Sequence, residues 1–431
     1  MALDKDISTA VRPTDRLLRQ LLILGVLVAP FNFFLGIPIG GATIHPLHLW
    51  SLLAITMALI ARPRILVAGC DAPALLFWTM FVFVLCSTLL GTPNIYRTRG
   101  LLDVALLAIN LGAFTVIRGQ LRGGSLWMSA AKAVFLASAL ASGLLAIRAV
   151  QVARTGLFES PDSYMLGLGT VVGTFSSAFA ASGLALATFS TSGRLRLVGM
   201  AGFVINGLTA GLALARGPWL ALGASVLITF PIAAWMLRRR FAVVRRLSIA
   251  LLAFVLMVPV AVALVLVNSS LAQLLSSRFL QVANLGTGTG LDRLILFKSL
   301  LQAGLDSPLF GHGAATYREV SELLGVQGSV SENFVLEMFH AGGLAATMPL
   351  VIALSIIVVR PFKVLLAAPE PAIVVATVTG LFAMVLGALT NPAGWDTLFW
   401  VLLALTVPSS PSVALVANDS TQPVLVENPA T

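Results

Sequence analysis

Charged residues are scarce in this sequence: Asp, Glu, Lys and Arg make up only 10% of its 431 residues. Soluble domains carry about a quarter. Hydrophobic residues make up 58% of the chain. This composition excludes a soluble enzyme. It predicts an integral membrane protein whose length forms many spans, because each span needs about 20 apolar residues.

Cysteine is also rare, and the common catalytic motifs are absent. Cys70 and Cys86 are the two cysteines, and they indicate neither a disulfide framework nor a metal site. P-loop, G-x-S-x-G, H-E-x-x-H and paired-Asp motifs are missing, so soluble-type nucleotide chemistry is not expected. His45 and His48 have no partnered carboxylate, which makes a weak pattern for a metal ion. We therefore predict no metal and no cofactor.

Apolar runs long enough to span a membrane fill most of the chain. They lie at about residues 20–39, 47–61, 72–91, 100–117, 126–148, 168–190, 196–214, 217–237, 248–267, 333–359, 371–390 and 393–408. Backbone polar groups in lipid must be satisfied within each segment, so these runs are helices. The sequence predicts an all-α polytopic membrane protein with about 12 transmembrane helices.

Lysine and arginine residues separate these runs and orient them. The net charge is +10, but the positive residues do not cluster on one surface, so nucleic-acid binding is not expected. With the N-terminus inside, most of the 27 Lys and Arg residues fall in connections on the inner side. Both termini are therefore predicted to be cytoplasmic, and arginines on the outer side are unusual.

The connections suggest how the chain is organised. We divide it into a cytoplasmic leader (1–19), transmembrane helices 1–9 (20–267), a long outer loop (268–332), transmembrane helices 10–12 (333–408) and a disordered cytoplasmic tail (409–431). The tail is rich in Ser, Pro and Asn, as disordered segments are. The outer loop is by far the longest connection, and loops of that length usually carry function.

The outer loop contains the segment LDRLILFKSLLQAGLDSPLFGHG, which has helical periodicity. Its apolar residues at helical spacing are Leu294, Phe297, Leu300 and Leu301, and Arg293 stands at its start. This pattern predicts an amphipathic helix lying on the outer membrane surface. A positive charge at a helix N-terminus opposes the macrodipole. A lipid phosphate partner therefore explains Arg293 better than helix stability does.

Arg216 lies in the hairpin LTAGLALARGPWLALG, where one run ends outside and the next begins almost at once. An arginine there can simply extend to the lipid headgroups. Against that role, the positive-inside bias disfavours arginine on this side, and the tight Arg-Gly-Pro turn directs it back toward the membrane surface. Both hypotheses stay open: a headgroup anchor and an anion-binding residue.

The segment SENFVLEMFHAGG places Glu332, Asn333, Glu337 and His340 at the start of the tenth run. Glu332 completes the capping-box pattern S-x-x-E with Ser329, and it is also a candidate general base at the membrane surface. His340 lies three residues and Asn333 four residues from Glu337, so they share one helix face. These residues form either a satisfied polar pair or a polar site that continues inward.

Three of these segments occur in the order and spacing of one family. ARGPWLAL, then LDRLILFKSLLQAGLDSPLFGHGAATY, then SENFVLEMFHAGGLA resemble the bacterial O-antigen ligase and Wzy-type polymerase family. The family pattern is a Ser-Arg-Gly turn, an arginine-led helix ending in Pro-Leu-hydrophobic-Gly-x-Gly, and His-Asn-x-x-Leu before a glycine pair. The resemblance covers about residues 205–345, and the first 200 residues are similar only in character.

The resemblance implies a GT-C-like fold and a metal-independent, inverting glycosyl transfer at the periplasmic face of a bacterial inner membrane. The implied donor is a glycan on undecaprenyl pyrophosphate, which the family binds with two arginines that fall on Arg216 and Arg293. The acceptor is a hydroxyl of a glycan or of a lipid-linked sugar. A chain-length regulator is a further candidate partner, and Tyr317 could line a groove for the growing glycan.

This chain departs from the family at the catalytic histidine, whose position is held by Glu332. The resemblance implies that the ligases of the family, which attach glycan to lipid A–core, depend on that histidine. The departure therefore favours a polymerase of O-antigen or exopolysaccharide units, with the ligase as the alternative. Glu332 is the first candidate for the base, and Glu337 and His340 are the others. His340 lies about 12 Å deeper along the helix, too deep for a simple replacement.

A second class, a lipid-linked glycan flippase or a secondary transporter, also suits twelve spans with both ends inside. Transporters usually carry two similar halves, and no internal repeat is visible here. A flippase is expected to carry charges along a central cavity, whereas mid-span charges are few, Lys132 and Asp103 being the clearest. The enzyme is therefore the preferred prediction.

Overall fold

The computed structural model describes residues 13–34, 37–39, 42–91, 96–121, 125–154, 170–213, 216–237, 289–324, 333–366, 368, 370–390 and 392–405. These ranges form α-helices, two 3-10 turns and one small antiparallel hairpin, β1 (Ile37–Ile39) with β2 (Ala42–Ile44). The predicted helical fold class is confirmed, and the hairpin is a small addition to it.

The helices are numbered in chain order. They are α1 (Pro13–Val28), α2 (Pro46–Ala61), α3 (Pro63–Gly69), α4 (Ala72–Leu90), α5 (Arg97–Leu121), α6 (Ser125–Arg154), α7 (Thr170–Phe189), α8 (Gly193–Leu212), α9 (Arg216–Met236), α10 (Thr289–Asp306), α11 (Tyr317–Leu323), α12 (Phe334–Val364), α13 (Pro371–Ala388) and α14 (Thr397–Ala404). The 3-10 turns are Ala29–Phe34 and Pro392–Trp395. Every predicted run overlaps one of these helices except the ninth, 248–267, which lies outside the described residues.

Within the described ranges, six helices are long and apolar enough to cross a membrane: α4, α5, α7, α9, α12 and α13. The helices α2 and α3 together qualify as a seventh span, but they meet at a bend of 113°. The apolar stretches of α1 and α6 are shorter, and α14 has eight residues, about 12 Å. The chain is a multi-pass membrane protein, while twelve spans and a GT-C-like arrangement stay predictions.

An aromatic cluster packs the centre of the bundle. Phe77 of α4, Phe114 of α5 and Trp400 of α14 are fully buried, with ring centroids 4.9 to 6.3 Å apart in edge-to-face contacts. Phe334, the first residue of α12, adds a ring 6.4 Å from Trp400. Such pairs contribute about 0.5–1.5 kcal/mol beyond their burial. The cluster fixes the start of α12 relative to three other helices.

The helix ends gather at two ends of the bundle. At one end, Gly100 of α5 lies against the backbone of Ala314, and Gly217 of α9 lies against Thr390. At the other end, Gly69 of α3 lies against the backbone near the last turns of α5. We call the first the site end (residues 88–91, 96–103, 216–217, 307–318, 333–343, 390 and 392–396) and the second the basic end (residues 62–71, 115–119, 127–132, 194–196, 360–366, 368 and 370–373). The topology predicted from Lys and Arg puts the site end outside.

Candidate active site

A break in α12 organises the site end. Gly343 has φ +61° and ψ −160° inside this helix, a combination that is available only to glycine without strain. A Cβ at this position would lie 2.3 Å from the carbonyl carbon of Leu309. The backbone at the break therefore requires the second glycine of the Gly342-Gly343 pair.

The loop of residues 307–316 fills the break and supplies its missing backbone partners. The four hydrogen bonds, donor first, are His312 N–H to His340 O (2.8 Å), Gly313 N–H to Ala341 O (2.9 Å), Leu344 N–H to Pro308 O (2.8 Å) and Ala345 N–H to Leu309 O (3.1 Å). An unbroken helix would pair residues 340 and 341 with 344 and 345 instead. Unsatisfied backbone groups at membrane depth each cost several kcal/mol, so the loop makes the break tolerable.

Positive φ angles allow the 307–316 loop to turn against α12. Gly311 and Gly313 have φ +66° and +97°, and a Cβ on Gly311 would lie 2.6 Å from the α12 backbone. Ala315 also has a positive φ, +64°, which is uncommon for a residue with a side chain. Ala314 N–H donates to Thr88 Oγ1 at 2.9 Å and holds this turn on α4. The Pro-Leu-Phe-Gly-His-Gly motif is therefore a loop shaped to fit the broken helix.

Glu337 is buried in the first half of α12, with 1% of its surface exposed. One of its carboxylate oxygens accepts a hydrogen bond from Trp395 Nε1. One turn earlier, Asn333 caps the helix by accepting from Leu336 N–H at 2.9 Å. A buried carboxylate is costly unless it is hydrogen-bonded. Trp395 therefore both stabilises Glu337 and fixes its position.

His340 connects α12 to the 307–316 loop through Thr316. The Thr316 hydroxyl donates to Gly313 O at 2.6 Å, so its single proton is already used. The contact of 3.2 Å between Thr316 Oγ1 and His340 Nδ1 therefore assigns the proton to the histidine nitrogen. The ring of His312 lies 5.1 Å from that of His340, and its Nε2 donates to Ala303 O at 2.7 Å. Both histidines thus hold the loop in place.

Tyr317, the first residue of α11, lies beside the buried carboxylate. Burial, and next the negative charge of Glu337, raise the pKa of its phenol above the ordinary value, while Arg318 acts in the opposite direction. The Arg318 guanidinium carbon lies 5.7 Å from the Tyr317 ring centroid. Asp103, which pairs with Arg99 at 3.1 Å, also raises the pKa of Tyr317. The phenol therefore stays protonated near neutral pH and can donate a hydrogen bond.

The two arginines that are predicted to bind pyrophosphate both lie on helices that reach the site end. The structure describes their backbone but not their side chains. Arg216 is the first residue of α9, directly before Gly217, which packs on Thr390. Arg293 lies in the second turn of α10, because that helix begins at Thr289. The prediction that Arg293 opens its helix is therefore wrong, and the macrodipole argument for it is weakened.

The helix α10 packs on α12 with a different face from the predicted one. Leu296 and Leu300 are buried against Tyr317, beside Val320 and Leu336. Of the predicted apolar set, Leu300 is buried, Phe297 is half-buried, and Leu294 and Leu301 are exposed. The exposed leucines leave one apolar face of α10 suited to lipid, so contact with the membrane surface stays a prediction.

Glu332 lies outside the described residues, but the start of α12 decides one hypothesis about it. A capping box needs Ser329 as the N-cap and Glu332 as the third helical residue. The helix instead begins at Phe334, and its N-cap is Asn333. The capping-box interpretation is therefore wrong, and the role of Glu332 as a base stays a prediction.

The structure adds residues that the sequence did not mark as part of the site. Trp395 lies 58 positions from Glu337 along the chain, so no local pattern links them. Arg318 is one residue from Tyr317 but belongs to no motif of the resemblance. Asp103 was visible only as a carboxylate inside an apolar run, with Arg99 one turn before it.

Comparison with known proteins matches a part of the chain that contains several elements of the site end. Residues 201–351 match the family model Wzy_C, described as O-antigen ligase. A comparison with curated proteins found no match. The matched segment includes Arg216, the helix α10, the 307–316 loop and the break at Gly343. Over residues 201–351, about a third of the chain, the protein is therefore similar to the O-antigen ligase family.

Proposed function

We propose that this chain is a glycosyltransferase that moves a glycan from undecaprenyl pyrophosphate onto an acceptor sugar hydroxyl. The observation that carries the proposal is the coincidence of the family match with the site end: residues 201–351 contain Arg216, Arg293, Glu332 and the broken helix. Arginine guanidinium groups bind phosphate oxygens in bidentate fashion. In this proposal the site end faces the periplasm from the bacterial inner membrane.

The proposed reaction is one direct displacement. The acceptor hydroxyl oxygen attacks the anomeric carbon, and the bond from that carbon to the pyrophosphate oxygen breaks. The electron pair of that bond leaves with the carrier pyrophosphate, whose charge Arg216 and Arg293 neutralise, and Glu332 takes the hydroxyl proton. A direct displacement inverts the anomeric configuration. It needs no general acid or metal, because pyrophosphate is already a good leaving group.

The surrounding residues would position these groups. Asn333 caps α12 and so fixes the chain next to Glu332. Glu337, held by Trp395, is the second candidate for the base. His340 would hold the 307–316 loop through Thr316, so it is the third candidate for the base. Tyr317 would donate a hydrogen bond to the glycan from the end of that loop.

The identity of the acceptor distinguishes two versions of the proposal, a polymerase and a ligase. Glu332 at the position of the family's histidine favours a polymerase that extends O-antigen or exopolysaccharide chains. The description of the matching family model favours the second candidate, a ligase that transfers the glycan to lipid A–core. A polymerase defect leaves single repeat units, whereas a ligase defect leaves long chains on the carrier and unmodified lipid A–core.

The test in cells compares Arg216→Ala, Arg293→Ala and Glu332→Gln by glycan length on a gel, with membrane levels measured for each. Hydrogen bonds to charged groups contribute about 1.5–3 kcal/mol, so each arginine change should slow transfer at least about tenfold. Loss of a general base should cost about 10²–10⁴-fold. Arg194→Ala, an exposed arginine at the basic end, is the matched control. Full-length product from both arginine variants would overturn the proposal.

A test with purified protein separates the enzyme from a flippase. Protein in detergent should join a lipid-linked glycan to an acceptor without any bilayer, and a metal chelator should leave the rate unchanged. A flippase would give no product under these conditions, and loss of the rate with chelator would overturn metal independence. The anomeric configuration of the product, read by NMR, tests inversion.

A further inference from the structure

A cavity of about 200 Å³ lies at the basic end, between α6, α7, α8, α13 and α14. Its walls are almost wholly apolar and include Phe135, Phe179, Leu186, Leu195, Ile373 and Met384. This volume is below the 300–1,000 Å³ of typical ligand pockets, so it suits part of one hydrocarbon chain rather than a whole small molecule.

Two charged side chains meet at this cavity without completing a hydrogen bond. Lys132 lines the cavity, and its Nζ lies 3.9 Å from Glu370 Oε2. That distance is an ion-pair contact but exceeds a hydrogen bond. Glu370 Oε2 is buried and has no hydrogen-bond partner among the described residues. Glu370 is the N-cap residue of α13, yet its side chain makes no capping bond.

The pair therefore presents a cation and a carboxylate side by side next to an apolar cavity, and the two form an ion pair without a hydrogen bond between them. An ammonium can donate three hydrogen bonds and a carboxylate oxygen only accepts them. A headgroup that fits both must carry a phosphate for Lys132 and an ammonium for Glu370. Phosphoethanolamine has this pair of charges, and its acyl chains match the apolar walls.

We propose that the cavity binds a diacyl phospholipid with an ethanolamine headgroup, taken from the leaflet at the basic end. The phosphate pairs with Lys132, the ammonium donates to the exposed part of the Glu370 carboxylate, and one acyl chain enters the cavity. The site is distinct from the candidate active site. From Ile373 the helix α13 runs about 22 Å to Ala388, close to the site end.

An anionic phospholipid is the main competing occupant. Arg194 and Arg196 are exposed on either side of Leu195, a wall residue, and they would attract negative headgroups. The negative charge of Glu370 repels a second negative charge beside Lys132. This repulsion favours the zwitterionic lipid over the anionic one. The two occupants give opposite predictions for Glu370→Gln, because removing that charge weakens an ethanolamine lipid and strengthens an anionic one.

The experiment is lipid titration of the full-length protein in detergent, read by native mass spectrometry. Phosphatidylethanolamine and phosphatidylglycerol with identical acyl chains are compared on the unchanged protein and on Lys132→Ala, Glu370→Gln and Ala376→Trp. Ala376 lines the cavity, so the indole should fill it. Matched controls are Lys363→Ala, an exposed lysine at the same end, and Glu319→Gln, an exposed glutamate elsewhere.

We expect the ethanolamine lipid to bind preferentially, and each charge variant to lose at least about tenfold in affinity, as expected for a lost charged hydrogen bond. The controls should bind as the unchanged protein does. Equal binding of the two lipids, no retained lipid, or unchanged binding by Glu370→Gln would each overturn the proposal. Because Lys132 and Glu370 are about half exposed, both charge variants should fold even if Ala376→Trp does not.

Discussion

The helices α5 and α12 carry an ionic cluster at each end, and the two clusters are built differently. At the basic end, Asp71 caps α4, pairs with the buried Arg118 of α5 and lies 3.5 Å from Arg360 of α12. At the site end, Arg99 pairs with Asp103, while Arg318 Nε is buried without a hydrogen-bond partner among the described residues.

This difference indicates that the cluster at the basic end is structural, whereas the cluster at the site end is a candidate functional one. One carboxylate at the basic end serves as a helix cap and as the partner of two arginines, so its charge is used entirely to join three helices. At the site end, carboxylates, arginines, a phenol and an indole lie around a loop that is itself held by a broken helix. Changes to the Asp71 cluster should therefore lower stability, and changes to the charged groups of the site end should lower activity.

The largest effect is expected from Gly343→Ala, which removes the support of the site end. The φ and ψ of Gly343 cost a residue with a side chain about 1–3 kcal/mol, and each backbone group that loses its partner costs about 1–3 kcal/mol. We expect little folded protein in the membrane and no glycan product, measured by fluorescence-detected gel filtration and by the glycan gel. Gly223→Ala, where a Cβ would meet no atom within 4 Å, should behave normally. An active, folded Gly343→Ala variant would contradict the role of the break.

The next effect is expected from Asp71→Asn at the basic end. Removing one partner of a buried ion pair costs about 3–5 kcal/mol, because the remaining charge stays buried, and Arg118 is only 5% exposed. The melting temperature should fall, while activity per folded molecule should not change. Asp306→Asn, an exposed carboxylate, is the control. A selective loss of activity without loss of stability would show that the two ends do not divide the roles in this way.

A smaller effect is expected from Arg318→Ala at the site end. Its guanidinium hydrogen-bonds to the Tyr317 phenol, but its buried Nε has no hydrogen-bond partner among the described residues. We therefore expect a small cost in stability, whereas a hydrogen bond to a charged substrate group contributes about 1.5–3 kcal/mol. The rate of glycan transfer should fall about tenfold or more at an almost unchanged melting temperature. Arg196→Ala is the matched control at the basic end. A lower melting temperature with an unchanged rate would make Arg318 a structural residue instead.

The smallest effect is expected from Tyr317→Phe. Because burial raises the pKa of Tyr317, the folded protein keeps the phenol proton at a pH where the unfolded chain has lost it. Unfolding then releases a proton, so stability falls as pH rises above about 10, the ordinary tyrosine value. Tyr317→Phe should reduce that fall, measured as melting temperature against pH, and should leave the pH profile of activity near neutrality unchanged. A shifted profile near pH 7 would mean that Tyr317 takes part in proton transfer.

The apolar runs predicted helices well because length and composition decide whether a segment can be buried in lipid. The start of α12 was harder, because two patterns overlap there. Ser329 with Glu332 satisfies the capping-box rule, while Asn333 is an equally good N-cap, and the packing of Phe334 into the aromatic cluster selects the second. Similarly, nothing local in the sequence shows that α10 begins one turn before Arg293.

Parts of the candidate site depend on contacts that sequence patterns cannot show. The glycine motifs of the 307–316 loop and of the Gly342-Gly343 pair were visible as a family resemblance, but their mutual hydrogen bonds were not. The bond from Trp395 to Glu337 joins two different helical elements, and only the folded chain brings them together. Local periodicity therefore identified the elements, and tertiary packing decided which polar groups meet.

The break at Gly343 also determines which part of α12 can span the bilayer. An unbroken α12 of 31 residues would be about 46 Å long, well beyond the hydrocarbon thickness of about 30 Å. The part after the break, residues 344–364, is about 31 Å long and matches that thickness without tilt or bilayer distortion. The part before the break, residues 334–342, is instead enclosed by protein, because Phe334 packs into the aromatic cluster at the centre of the bundle. Only 1% of Glu337 is exposed, so its carboxylate is surrounded by protein and does not face lipid.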